Sequence, residues 1–440
     1  MPLKVGMVSL GCAKNMVNSE QMLQKLKDAG YDITGPLDKA DVIVINTCGF
    51  IESAKAEAIE NILEFAELKK AGRLKKIIVA GCLSERYKGE ILKEIPEVDG
   101  LVGCGSFDEI AEVLNGVMEG GTVCRFGDIN APVPETERVV TSGPGWAYLK
   151  IAEGCDNRCA YCVIPSLRGR FRSRPMENII AEARALAEMG VKELIVVAQD
   201  TTRYGTDLYG ERKLPELARR LCEIEGIEWV RLHYLYPDEI DEELIDTVAA
   251  EEKVVKYLDI PIQHINDRIL KSMNRRGTGE EIRRLFKKLR ERIPGVVLRT
   301  SIIVGLPGEG EAEFEELASF LREAKIERAG IFTYSPEEGT KAAEMPDIPP
   351  REVAERRAEL LIDIQSRIID EFNERMIGKV LTVLVEGLDN ETGWMYGRSF
   401  ADSPDVDGRV LFDYEAQPGE FVKVRITDVY DGDLAGEVEL

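Results

Sequence analysis

Short apolar runs alternate with stretches of helical spacing through the first 135 residues. Strand-like runs cover Val5–Leu10, Val42–Asn46 and Ile77–Ala80, with helical patterns at Ser19–Ala29 and Glu52–Lys70 between them. Asn18 and Ser19 stand where the cap of the first helix is expected. This β-α-β rhythm predicts a parallel sheet with helices on both faces. Residues 131–145, APVPETERVVTSGPG, read as a linker. Alternation then resumes, with strands expected at Tyr148–Ala152, Leu194–Ala198, Trp229–Leu235, Tyr257–Ile260, Leu298–Val304 and Gly330–Tyr334, and helices such as Glu177–Glu188 and Gly279–Arg292. Six such units predict a full or partial α/β barrel, with a doubly wound open sheet as the competing arrangement. A charged helical stretch fills 349–376. After Gly378 the period changes to two, in KVLTVLVEG, GWMYGRSF, GRVLFDY, EFVKVRITDVY and LAGEVEL, which predicts a small antiparallel β-barrel. The chain is therefore read as three domains, 1–135, 136–376 and 377–440.

Composition narrows what such a chain can do. A 440-residue chain, 44% hydrophobic, has material for two or three cores and is too apolar for disorder. No run is long enough to span a bilayer, and the opening MPLKVGMVSLGC lacks a signal-peptide layout, so a cytoplasmic protein without a membrane partner is expected. A net charge of −23 disfavours general nucleic-acid binding and favours a basic partner. Nine cysteines in that setting point to metal or catalysis rather than disulfides, whereas two histidines leave little material for a zinc site or a histidine triad.

Three of the cysteines are crowded into EGCDNRCAYC: Cys155, Cys159 and Cys162. They follow the first barrel strand, where catalytic loops of such barrels sit. Three thiolates in so tight a loop suit an iron–sulfur cluster whose remaining iron is open to a substrate or cofactor. A zinc knuckle would need a fourth Cys or His close by, and Cys222 is far off inside a helical pattern. A second set, Cys12, Cys48 and Cys82, is spread out, yet each residue follows a predicted strand, in VSLGC, VINTCGF and VAGCLSE. Ends of parallel strands share one edge, so these three are expected to converge and hold a second three-ligand cluster. Buried core cysteines are the plainer alternative. Cys104, Cys124 and Cys222 show no such placement.

The CxxxCxxC spacing with Tyr161 before its last cysteine resembles the radical S-adenosylmethionine superfamily. With LGCAKN, NTCGFIESAK, AGCLSER, RGRFRSRP, AQDTTRYG, SIIVGLPGE and FTYSPEEGT, the whole chain resembles the methylthiotransferases, which join an N-terminal three-cysteine domain, a radical S-adenosylmethionine barrel and a C-terminal TRAM-type barrel. IPSLRGRFRSRP, LDIPIQHI, MNRRG and GRSFADSPDVDG are similar to the branch that modifies an aspartate of ribosomal protein S twelve, rather than the branch that modifies tRNA adenosine. Residues 377–440 carry 14 Asp and Glu against 5 Lys and Arg, which would repel RNA and attract a basic protein loop.

The resemblance implies two [4Fe-4S] clusters and two uses of S-adenosylmethionine. One molecule donates a methyl group to sulfur on the N-terminal cluster. Another is cleaved at the Cys155, Cys159 and Cys162 cluster, and the radical takes hydrogen from the substrate's β-carbon. A hydrogen on unactivated carbon is not acidic, which fits the lack of a histidine pair. An electron donor such as flavodoxin or ferredoxin is implied as a further partner. Tyr161, Gln199, Asp200, Gln263 and Arg299 are candidate contacts to S-adenosylmethionine, with His264 beside Gln263. Arg168, Arg170, Arg172 and Arg174 are either carboxylate binders or a solvated charged face. An iron–sulfur electron carrier is the reading from another class, and it would be expected to saturate its clusters with four ligands.

Overall fold

In the computed structural model, which describes residues 3–430 and 432–439, the chain forms two compact units. The first contains residues up to Thr141 together with Ala152–Arg174 and Ser335–Ala343. The second contains Ser142–Ile151, Pro175–Tyr334 and the chain from Glu344 onward.

The first unit is built on a six-stranded sheet of β1 (Lys4–Ser9), β2 (Asp32–Ile33), β3 (Val42–Thr47), β4 (Lys76–Gly81), β5 (Gly100–Val102) and β6 (Val123–Arg125). The order is β2-β1-β3-β4-β5-β6, every pair parallel. β3 is buried at all six positions, as a strand covered on both faces must be. Helices Ala13–Asp28 and Ile110–Met118 cover one face through Met22, Leu26, Ile110 and Val113. Helix Glu52–Lys70 covers the other through Ala58, Ile62 and Phe65. The chain leaves β1 for β2 on one side and leaves β3 for β4 on the other. The loops after β1 and β3 therefore diverge, and such a switch point is where open α/β sheets bind their ligands.

The first helix starts at Ala13 with Cys12 in the cap position, six residues before the start that the sequence suggests. Lys14, Asn15, Asn18, Ser19, Glu20 and Gln21 are all buried, so this helix buries a polar face in its first two turns. Also in this unit, β8 (Ala152–Glu153) and β9 (Arg172–Ser173) pair antiparallel and close the loop that carries Cys155, Cys159 and Cys162.

The second unit holds an open parallel arc of six strands: β7 (Trp146–Lys150), β10 (Glu193–Val197), β11 (Trp229–Leu232), β12 (Val254–Asp259), β13 (Val297–Val304) and β14 (Arg328–Thr333). They neighbour one another in chain order, the arrangement of a partial α/β barrel. Helix Arg351–Glu374 leads to a closed five-stranded barrel of β15 (Val380–Leu388), β16 (Met395–Arg398), β17 (Val410–Phe412), β18 (Phe421–Tyr430) and β19 (Asp433–Val438). This small barrel departs from the expected antiparallel pattern at one seam, where β17 and β19 run parallel. Its core of Val383, Val385, Phe412, Val424 and Ile426 continues into Tyr257 and Val297 of the arc and Phe372 of the helix.

His233 lies at this junction, buried, with Nε2 3.2 Å from the Ser403 hydroxyl. Burial pushes its imidazole from 6.5 down to about 3. The unfolded chain therefore takes up a proton as pH falls below 6.5, which the folded chain refuses until about 3. Stability from this residue is complete above that window and is lost downward through it, at up to about 1.4 kcal/mol per pH unit. Urea midpoints between pH 7 and 4 should fall less steeply in His233→Gln than in the parent, by the slope of about one proton.

Candidate active site: two cysteine sets in one unit

All six cysteines singled out by spacing belong to the first unit. The central set is held by main-chain geometry. The Cys155 amide donates to the Gly169 carbonyl at 3.1 Å, across the hairpin that β8 and β9 close. The Cys162 amide donates to the Cys159 carbonyl at 3.1 Å, and the Ile164 amide lies 3.5 Å from the Cys162 sulfur. Cys155, Cys159 and Cys162 line one cavity of about 760 Å³, within the range of small-ligand pockets. Its wall also carries Arg158, Arg170 and Lys341 against a single acid, Asp156, whose carboxylate accepts from the Phe171 amide at 3.2 Å. In a chain of net charge −23 this wall is locally cationic, the sign an anionic ligand group needs.

The far side of the cavity comes from residues 339–341, fixed by two anchors. The Ala342 amide donates to the Ala160 carbonyl at 2.9 Å. Buried Glu337 accepts from Lys55 at 2.9 Å, Arg86 at 2.7 Å and Ser335 at 2.6 Å. Burial opposes its charge, but the hydrogen bonds from Ser335, Lys55 and Arg86 hold its carboxyl below the usual range.

The second set gathers at the sheet edge as parallel topology requires. Cys12 ends the loop after β1, Cys48 follows β3, and Cys82 follows β4 as the first residue of helix Cys82–Tyr87. Gly11 adopts a φ of +94°, and a Cβ there would lie 2.8 Å from the Cys48 Cβ, so the first two loops touch. A Cβ on Gly49 would lie 2.8 Å from the Cys82 carbonyl, so the second and third loops touch as well. Burial, then the nearby Cys82, push the Cys48 thiol up to about 12. Among the described residues, no three His, Cys, Asp or Glu side chains close on a point that a single metal ion could occupy. A cubane places a different demand, because each of its thiolates holds a different iron.

Asn15 organises these loops. Its Nδ2 donates to the Leu10 carbonyl at 3.0 Å and the Thr47 carbonyl at 2.9 Å, joining the ends of β1 and β3. Its Oδ1 accepts from Arg168 Nη2. Arg168, the last residue of helix Ile164–Arg168, is buried and extends from the central cysteine loop to Cys82, with Nε 3.4 Å from the sulfur. Val163 and Leu167 pack on Cys82 in the same cluster. Cys104, which carried no assignment in the sequence, stands on the other side, 3.9 Å from the Cys82 sulfur. The Cys104 hydrogen bond, then the Arg168 charge, draw the Cys82 thiol below its ordinary value against the effect of burial. Cys104 is pushed correspondingly up. A signal for Cys104 was present, since VDGLVGC also places a cysteine just past a strand, β5.

The four alternating arginines divide. Arg168 and Arg174 are buried, the latter on Glu135, half-buried Arg172 donates to the Arg168 carbonyl at 3.2 Å, and exposed Arg170 lines the cavity. Tyr161 is half-buried in the cysteine loop. The other candidates belong to the second unit. Asp200 is buried past the end of β10 and accepts from the Thr202 hydroxyl, next to half-buried Gln199. Gln263 takes a φ of +71° and bonds through its main chain to Ser301 and Ile303. His264 accepts at Nδ1 from the Asn266 amide at 3.0 Å, with Nε2 3.5 Å from buried Glu309. Arg299 donates to Asp259 at 2.9 Å and lines a separate cavity with Arg328, Gln365 and Asp407. Cys222 is buried in helix Leu214–Cys222, and Cys124 lies on β6.

Comparison with known proteins covers the same ground. Residues 149–321 match the radical SAM superfamily, residues 4–103 the uncharacterized protein family UPF0004, and residues 377–438 the TRAM domain. A protein of Pelotomaculum thermopropionicum named ribosomal protein uS12 methylthiotransferase RimO is 52% identical over all of this chain and all of its own length. A protein of the same name from Acetivibrio thermocellus is 50% identical over 100% of this chain and 99% of its own. Among solved structures, the radical S-adenosylmethionine methyltransferase TsrM of Kitasatospora setae aligns with a TM-score of 0.57 at 15% identity, covering 78% of this chain and 77% of that one, a likeness of fold. Among the described residues, no helix is long and apolar enough to cross a membrane.

Proposed function

This chain belongs to the RimO family of radical S-adenosylmethionine methylthiotransferases, and from that premise we propose that it adds a methylthio group to the β-carbon of an aspartate in ribosomal protein uS12. The observation that carries the reading is the convergence of Cys155, Cys159 and Cys162 on one cavity with a cationic wall. These three thiols suit a [4Fe-4S] cluster, because each is offered from a main-chain-fixed loop and the fourth ligand place is left to S-adenosylmethionine. Bound there, the cluster supplies the electron for reductive cleavage of the sulfonium. We assign Cys12, Cys48 and Cys82 to a second cluster that carries the sulfur to be transferred.

The protein's own part is to orient and to shield. The β8–β9 hairpin fixes the cysteine loop, and the Glu337 anchor holds residues 339–341 against it, so the reacting groups meet in a defined volume. Arg158, Arg170 and Lys341 offer charge to a carboxylate, and both S-adenosylmethionine and the substrate aspartate have one. Tyr161, Gln199, Asp200, Gln263 and Arg299 are assigned to contacts with S-adenosylmethionine, Arg299 also donating to Asp259 at 2.9 Å. We take the chain as modules at 1–135, 136–376 and 377–440, working in the cytoplasm with a flavodoxin- or ferredoxin-type electron donor.

The alternative substrate is tRNA adenosine. The C-terminal module's 14 acids against 5 bases favour a basic protein over RNA. Anaerobically reconstituted protein, given S-adenosylmethionine, a reductant and either uS12 or tRNA, should add one methylthio group to the protein and none to the RNA, as read by mass spectrometry. A mass increase confined to tRNA would overturn the assignment.

A further inference from the structure

We propose that Arg168 is a positioning residue for the second cluster, setting the redox potential of the iron held by Cys82 through an N–H···S hydrogen bond. The inference rests on the reading that Cys12, Cys48 and Cys82 hold a cluster.

The guanidinium is clamped on every side. Nη1 donates to the Asn18 side chain at 3.1 Å and to Glu153 at 3.0 Å, and Nη2 donates to Asn15, which leaves Nε–H directed at the Cys82 sulfur at 3.4 Å. Arg168 is only 4% exposed, so water does not compete for these donors. Glu153 pairs with it at 3.0 Å, so Cys82 meets a directed N–H hydrogen bond together with the part of the guanidinium charge that Glu153 does not offset. Such a bond draws electron density from the thiolate and favours the reduced, more negative cluster, raising its potential.

The same residue ties the two cysteine sets together. Arg168 lies six positions after Cys162, at the end of the short helix that follows the central loop. A displacement of that loop would therefore be felt at Cys82, and the reverse. Asn15, the acceptor for Nη2, also joins the β1 and β3 loops that carry Cys12 and Cys48.

The test uses the full chain with Cys155, Cys159 and Cys162 changed to alanine, so that a single cluster remains. Into it are placed Arg168→Gln, which loses the charge and shortens the donor, and Arg168→Lys, which keeps the charge but has one nitrogen for three directions. Iron per chain is counted after anaerobic reconstitution, and the midpoint potential is read by EPR-monitored titration. The expected result is unchanged iron with a midpoint more negative than in the Arg168 parent, further for Gln than for Lys. An unmoved midpoint in iron-loaded variants overturns the inference alone. Loss of iron from both variants also overturns it, because Arg168 would then hold the site together rather than set its potential. A parent without iron overturns the second-cluster reading, and the inference with it.

Discussion

Changing Cys155, Cys159 and Cys162 together to alanine is expected to abolish formation of 5′-deoxyadenosine and to lower the iron content of the reconstituted chain from about eight atoms to about four. Single substitutions should approach the same result, since two thiolates cannot hold a cubane against loss to solution. The argument rests on how the loop is built. Its closure is main-chain work, by the β8–β9 pairing and the Cys155-to-Gly169 bond, and none of it needs a sulfur atom. The thiols themselves are half-buried rather than packed in a core. The cluster-free triple variant should therefore unfold within about 0.5 kcal/mol of the cluster-free parent, as substitutions away from a core do. Lost chemistry with kept stability separates ligands from structural cysteines. Retention of about eight irons in the triple variant would remove these residues from the metal site.

The same chemistry explains what could be read from the sequence and what could not. Long elements with one clean period, such as Glu52–Lys70 and the six strands of the arc, stand close to their expected positions. β2, β5 and β6 leave no periodic signal in the sequence because they are only two or three residues long. The late start expected for the first helix has a different cause. Its apolar spacing begins near Met22, whereas its first two turns bury Asn15, Asn18 and Ser19. Those polar residues are inside because they support the cysteine loops: Asn15 and Asn18 accept from Arg168, and Ser19 accepts from Asn46. A hydrophobicity pattern reads buried polarity as surface, so it fails at the functional edge of the sheet. The convergence of Cys12, Cys48 and Cys82 was legible because parallel topology fixes where strand ends lie. The contact of Arg168 with Cys82 was not, since it bridges 86 residues and depends on a short helix's end.

The second large effect concerns stability. Glu193→Ala is expected to destabilise the second unit by about 3–5 kcal/mol, the cost of leaving buried charge uncompensated. Glu193 on β10 is fully buried and accepts at 2.7 Å from Arg231 Nε on β11 and at 2.7 Å from Arg398 Nη2 on β16. Arg231 donates onward to the Phe400 carbonyl and Arg398 to the Asp402 carbonyl, so one carboxylate joins the arc to the small barrel. Burial alone would raise the Glu193 carboxyl, but the charges of Arg398 and Arg231 overcome it and hold it below 4.5. Its contribution is therefore complete above 4.5 and fades as pH falls below it. Removing the carboxylate leaves two guanidiniums facing each other where water does not reach, with Glu386 still touching Arg398. Glu193→Gln should recover little, because an amide keeps the shape but not the charge. Replacing Glu193, Arg231 and Arg398 together with apolar residues of similar volume should cost less than Glu193→Ala alone, since it removes the charges along with their partner. Trp146, Trp229 and Trp394 all belong to the second unit, so tryptophan fluorescence in urea reports this unit selectively. Equal midpoints for parent and Glu193→Ala would show that the three charges are solvated in solution and that the barrel is joined by its apolar core alone.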